Sequence, residues 1–244
     1  MPEHSLNEVL RLLDTSAAAT RRPVPRLLAV SKTQTATAVA ELAAALRRAQ
    51  GDRIPAFGEN YVQEAASKQA ALAEQGTIPP PLEWHLIGHL QSNKAKDAAR
   101  LFDWVQTVDR GSLVTALARH RPPDREPLNV LLQVNVDDEA GKHGCRPEDL
   151  AALADSVAAQ PGLRLRGLMV IPTPHADTEL RRPAFRRTRA LFDELRQRHP
   201  GIDTLSMGMS DDCAIAVAEG ATMVRVGTAL FGARPKPLAS EDHA

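Results

Sequence analysis

The sequence predicts an α/β fold: a single (β/α)8 TIM barrel with an extra N-terminal helix. Three observations carry this expectation. Eight short β-rich runs alternate with amphipathic segments from one end of the chain to the other, the pattern of a parallel sheet with crossover helices. The runs follow one another at close to the minimum spacing of a βα unit, which leaves little room for a second domain. A chain of 244 residues also falls in the range where one barrel forms one core.

The β-rich runs lie at 27–31, 54–58, 84–88, 104–108, 129–136, 165–171, 204–207 and 223–227. Between them Val39, Leu42, Leu46 and Ala49 recur at helical spacing, as do Phe185, Thr188, Phe192 and Leu195. Each set makes one apolar stripe suited to packing on a barrel. Leu6, Val9, Leu10 and Leu13 mark the helix ahead of the first strand. Proline clusters at 79–81 and 122–127 fall on the helix-to-strand side, where helix breakers belong. The domain is expected to span 1–234, followed by a polar tail at 235–244. Periodicity does not distinguish a closed barrel from an open doubly wound sheet, which stays as the structural alternative.

Composition narrows the partners. Lys plus Arg total 30 and Asp plus Glu total 30, so no net field gathers nucleic-acid phosphates or anionic lipid. Arg181, Arg182, Arg186, Arg187 and Arg189 are followed by acidic residues and fit one solvated helix face. The first residues lack a basic segment followed by an apolar run, and no apolar stretch approaches a bilayer span. The cytoplasm is the expected address. Cys145 and Cys213 show no paired spacing near histidines, so neither a disulfide framework nor a metal site is expected.

In a barrel of this kind the chemistry sits where strands end and βα loops begin. Those ends here carry Lys32, Glu59 and Asn60, the stretch from His85 to Gly88, Asp109 and Arg110, Asn135, Thr173, the stretch from Ser206 to Ser210, and Arg225 to Thr228. The chain has six lysines against twenty-four arginines, and Lys32 alone ends a β-run. A compact amine whose pKa can fall is what Schiff-base chemistry needs. The same position also suits a lysine that neutralises Glu59 or Asp109. Ser206, Gly208, Ser210, Gly227 and Thr228 occupy the loops after strands seven and eight, the usual phosphate site of the fold. Tight turns would need the same glycines.

Several stretches in order resemble the pyridoxal phosphate homeostasis proteins, one-domain relatives of the alanine racemase barrel and fold-type III binders of pyridoxal phosphate (PLP). They are Leu28-Ala29-Val30-Ser31-Lys32, Phe57-Gly58-Glu59-Asn60-Tyr61 and its continuation to Glu64, and residues 84–88, 90–94, 108–110, 166–169, 205–211 and 223–234. The resemblance implies an internal aldimine on Lys32, with Asn60 and His85 near the cofactor ring. It places Ser206, Met207, Ser210, Gly227 and Thr228 around the phosphate and Arg225 opposite the pyridine nitrogen. A permanent cation there keeps that nitrogen unprotonated and weakens the electron sink that carbanion chemistry uses. The chain departs from the pattern at Gln34-Thr35, where the family often has Lys-Pro, and at His89, where many members carry proline.

The function so implied is intracellular PLP homeostasis without substantial turnover. A monomer would hold PLP and pass it to PLP-dependent apoenzymes, with no nucleic-acid or membrane partner. Two alternatives stand beside it, a PLP-dependent amino-acid racemase and a Schiff-base aldolase without PLP. Racemisation needs a base on each face of the α-carbon. Tyr61, the single tyrosine, starts a helix inside the Asn60 motif, and no added domain is expected to bring a second base. The aldolase reading leaves Arg225 unexplained.

Overall fold

The structure is a computed structural model that describes residues 2–74, 81–137, 139 and 141–232. Helix α1 (Pro2–Thr20) leads into β1 (Arg26–Val30), followed by α2 (Ala36–Gln50), β2 (Ala56–Glu59), α3 (Val62–Glu74) and β3 (Glu83–Leu86). Next come α4 (Ala95–Leu101), β4 (Trp104–Val108), α5 (Gly111–His120), β5 (Leu128–Gln133), α6 (Leu150–Ala158) and β6 (Leu163–Met169). The chain ends with α7 (Arg182–Arg198), β7 (Thr204–Ser206), α8 (Cys213–Ala218), β8 (Met223–Val226) and α9 (Thr228–Phe231). All eight expected strands are present, each within a few residues of its predicted bounds. The expected boundary at 234 and the tail at 235–244 lie outside the described residues.

The strands close in chain order into one parallel barrel, with β1 pairing β8 through Leu27 opposite Val224 and Ala29 opposite Val226. Closure removes both sheet edges and rules out the open-sheet alternative. Outside the barrel, the stripes read from the sequence face inward: Val39, Leu42 and Leu46 on α2 and Phe185, Phe192 and Leu195 on α7 are all buried. Thr35 caps α2 by accepting a hydrogen bond from the Ala38 N–H at 3.1 Å. The extra helix α1 buries Leu6, Val9 and Leu13 and packs against α2, α8 and α9, joining the two ends of the chain's helical layer.

The barrel interior is only partly aliphatic. One small apolar cluster joins Leu28, Ala56 and Met223, and another joins Trp104, Leu131 and Met169. Buried polar side chains, among them His85, Gln106, Ser206 and Arg225, fill the remainder. Among the described residues no helix is long and apolar enough to cross a membrane.

Candidate functional site

Lys32 stands one residue past the buried end of β1. The Ser31 N–H continues the ladder to Gly58 O at 3.0 Å, and the Gln34 N–H turns back to Ser31 O at 3.0 Å. This tight turn forces Thr33 to a φ of +65°, a left-handed conformation that costs a residue with a Cβ about 1–2 kcal/mol. What holds it lies beneath. Lys68, buried on α3, donates to Ser31 O at 2.5 Å, to Glu59 Oε1 at 2.8 Å and to Glu64 Oε1 at 2.8 Å. The Ser31 hydroxyl donates to Glu59 Oε1 at 2.6 Å, and Glu64 in turn accepts from the Thr33 N–H. Burial raises the Glu59 pKa against the opposing pull of Lys68 and Ser31.

Both carboxylates named as partners for Lys32 are engaged elsewhere. Glu59 is served by Lys68, and Asp109 pairs with Arg110 at 2.6 Å. Among the described residues Lys32 has no carboxylate within ion-pair distance. It is half-buried and lines a cavity of about 690 Å³ at the C-terminal mouth of the barrel. Lys68 escaped the sequence reading because a lysine in mid-helix looks like any solvated residue.

Asn60, Ser210, Arg225, Gly227 and Thr228 line the same cavity as Lys32, joined by His89, Gln133, His143 and Met209. Gly88 lets the ends of β2 and β3 meet, since a Cβ there would stand 2.2 Å from Asn60 O. After β7 the chain turns at Gly208, whose φ is +93°. The following loop is fixed by Asp212, which accepts from the Met209 N–H at 2.6 Å and from Arg181 Nη1 at 2.7 Å. Arg181 therefore departs from the expectation of a solvated arginine face: it is buried, because the loop it clamps covers it. Arg182, Arg186, Arg187 and Arg189 do pair with acidic neighbours near the surface. Helix α8 starts at Cys213 and α9 is a single turn. An anion here would meet hydroxyls and turn backbone, not the end of a long helix.

Three expected site residues do not line the cavity: His85, Ser206 and Met207. The Met207 side chain is fully buried in the main core. His85 and Ser206 are also fully buried, as members of a hydrogen-bonded line through the barrel. Arg26 pairs with Glu83 at 2.6 Å, Glu83 meets His85 Nε2 at 2.6 Å, and His85 Nδ1 meets Gln106 Nε2 at 2.8 Å. Gln106 Oε1 accepts from Ser206 Oγ at 2.7 Å, and Ser206 Oγ accepts from Arg225 Nη1 at 2.8 Å. Arg225 Nη2 reaches Val170 O at 2.8 Å. His85 also stacks on Trp104, with ring centroids 5.0 Å apart.

The direction of this line is fixed by its ends. Arg225 can only donate, so Ser206 must pass its own proton to Gln106 Oε1, which turns the Gln106 amide toward His85 Nδ1. That nitrogen must then be a bare acceptor, with the ring proton on Nε2 facing Glu83. Burial lowers the His85 pKa, which favours a neutral ring. Burial also pushes Arg225 down to about 10, and it stays charged at neutral pH.

The family described as "Alanine racemase, N-terminal domain" matches residues 7–235. The pyridoxal phosphate homeostasis protein of Pseudomonas aeruginosa is 52% identical over 225 residues, covering 92% of this chain and 91% of that one. The chain belongs to the pyridoxal phosphate homeostasis proteins. Another member, from Escherichia coli strain K12, is 46% identical over 95% of this chain and 96% of its own length. The solved structure of PipY from Synechococcus elongatus, with PLP bound, aligns at a TM-score of 0.74 with 40% identity, covering 90% of this chain and all of that one. Alanine racemase from Corynebacterium glutamicum shares the fold at 19% identity and a TM-score of 0.64.

Proposed function

We propose that this homeostasis protein holds PLP in the mouth cavity, covalently through Lys32, and hands it on in the cytoplasm without substantial turnover. The observation that carries this reading is the pairing of an unpartnered amine with a buried cation in one cavity. Lys32 has no carboxylate among the described residues, whereas Arg225 binds Ser206 and Val170 and still lines the cavity. A guanidinium has five N–H donors, so Arg225 keeps donors for a neutral acceptor such as a pyridine nitrogen. Ser210 and Thr228 bring hydroxyls to the same wall, as a phosphate requires. A volume of about 690 Å³ lies in the usual range for small-molecule sites.

Bound PLP would supply an aldehyde for Lys32 and an electron sink that a cation at the ring nitrogen keeps weak. In this assignment Asn60, Ser210, Gly227 and Thr228 contact the cofactor together with Lys32 and Arg225. His85 and Ser206 act from beneath by orienting Arg225, and Met207 packs the wall. The racemase alternative is disfavoured by Tyr61. It is 65% exposed and lines a neighbouring cleft with Lys94, away from Lys32.

Residues 1–234 act as one binding unit in this reading, with 235–244 as a tail, and the protein works as a monomer that supplies PLP-dependent apoenzymes. The test is borohydride reduction of the PLP-loaded protein followed by peptide mass spectrometry. Cofactor mass on the Lys32 peptide is expected; attachment at Lys94 or Lys142 overturns the assignment.

A further inference from the structure

We propose that His89, Asp109 and His143 form a site for a divalent transition-metal cation at the rim of the barrel mouth. The three residues come from separate loops: His89 follows β3, Asp109 directly follows β4, and His143 lies between β5 and α6. One ligand atom from each lies within 4.8 Å of the other two. Two imidazoles and one carboxylate with open positions are the donor set of Zn²⁺ hydrolase centres and of non-haem Fe²⁺ sites. No metal was expected from the sequence because 20 and 34 residues separate the members, far from any local ligand spacing.

The local physics supports ligation. The His89 and His143 rings are stacked with centroids 3.7 Å apart and planes 15° from parallel. That stacking holds the two imidazoles side by side at the rim. Asp109 gives one oxygen to Arg110 at 2.6 Å, which leaves the other free and fixes the carboxylate as outer-shell partners do.

The loop that carries His143 is anchored as well. The Cys145 N–H donates to Gln133 O and the Asn135 N–H to Cys145 O, both at 2.9 Å. Gly144 has a φ of +127°, and a Cβ there would stand 2.7 Å from Asn135 N. Metal–nitrogen bonds of about 2.0–2.1 Å require the ligand atoms to close in by rotation. His89 and His143 are exposed and free to turn, while Asp109 is half-buried and held. His89 and His143 both line the cavity that Lys32 lines, so the open coordination positions adjoin it.

The experiment is a titration of the chelator-stripped protein with Co²⁺ alone, read by its visible ligand-field bands. Expected is one saturable equivalent, displaced by Zn²⁺. His89→Ala, His143→Ala and Asp109→Asn each weaken it at least about tenfold, by analogy with losses at supporting residues. His199→Ala serves as the control, because that imidazole binds Asp155 at 3.0 Å elsewhere on the surface, and it should leave the titration unchanged. Circular dichroism confirms that the variants fold. No saturable band in the unaltered protein, or a band that persists in both His89→Ala and His143→Ala, overturns the site.

Discussion

Ser206 receives a hydrogen bond from Arg225 Nη1 at 2.8 Å and gives its own to Gln106 Oε1 at 2.7 Å. One hydroxyl thus joins the cation at the cavity to the polar line through the barrel. Ser206→Ala leaves a buried guanidinium N–H and a buried amide oxygen unpaired, at a cost of about 1–3 kcal/mol. For a chain of this size each kcal/mol lowers Tm by roughly 2–4 °C. A thermal melt of Ser206→Ala that matches the unaltered protein would show that the bond contributes nothing.

The Glu83–His85 pair predicts an acid-labile fold. Burial would raise the Glu83 pKa, but the hydrogen bond from His85 and the charge of Arg26 hold it down to about 2, from an ordinary 4.5. Its contribution to stability is complete above 4.5 and is lost as pH falls toward about 2. His85 is also shifted down, from 6.5, so the unfolded chain takes up its proton first and stability begins to decline below 6.5. Urea unfolding across this range should show both limbs, and Glu83→Gln should flatten the lower one.

Lys68 offers a second stability test. Breaking a buried ion pair from one side typically costs about 3–5 kcal/mol, because the orphaned charge stays buried. Lys68→Met leaves Glu59 without its cation and frees the turn at Thr33. Adding Glu59→Gln should recover part of the loss in urea denaturation. If Lys68→Met unfolds at the unaltered midpoint, the network under Lys32 is not what holds the turn.

Lys32→Ala should behave in the opposite way. Its amine has no ion pair among the described residues, so removing it should change the unfolding free energy by less than about 1 kcal/mol. PLP should no longer be fixed by borohydride. Large destabilisation would mean that Lys32 holds the fold together.

Ser210→Leu and Thr228→Leu should each weaken PLP more than pyridoxal, since the hydroxyls lost face the phosphate in the proposed pose. Equilibrium dialysis with both ligands reads the difference. Equal weakening would make these residues parts of structural turns.

The strands and helix stripes were legible because each follows a local period, 2 for a strand and 3.6 for a helix. Lys32, Asn60, Ser210, Arg225, Gly227 and Thr228 were legible as residues of the mouth cavity because the fold sends every strand end to one face. His85 and Ser206 lie beneath the cavity for a physical reason. Their chain positions near strand ends suggested the mouth, but the inward-pointing members of β3 and β7 lie a layer deeper, where Gln106 and Arg225 engage them. The roles of Lys68, Gln106 and the Arg181–Asp212 clamp were not legible in the sequence. Apart from the i,i+4 contact of Lys68 with Glu64, their deciding partners lie elsewhere along the chain: Glu59 for Lys68, Asp212 for Arg181 and Ser206 for Gln106.

The seam between β8 and β1 also bears on how the chain folds. Leu28 pairs opposite Arg225, about 200 residues further along, and α1 packs on α8 and α9. Helix α1 finds part of its packing on the nearby α2, but its contacts with α8 and α9 wait until the far end of the barrel is in place. Such distant contacts place the closing step late and slow it. Deleting α1 should therefore leave the strands paired but expose the apolar faces of α8 and α9 that it covers.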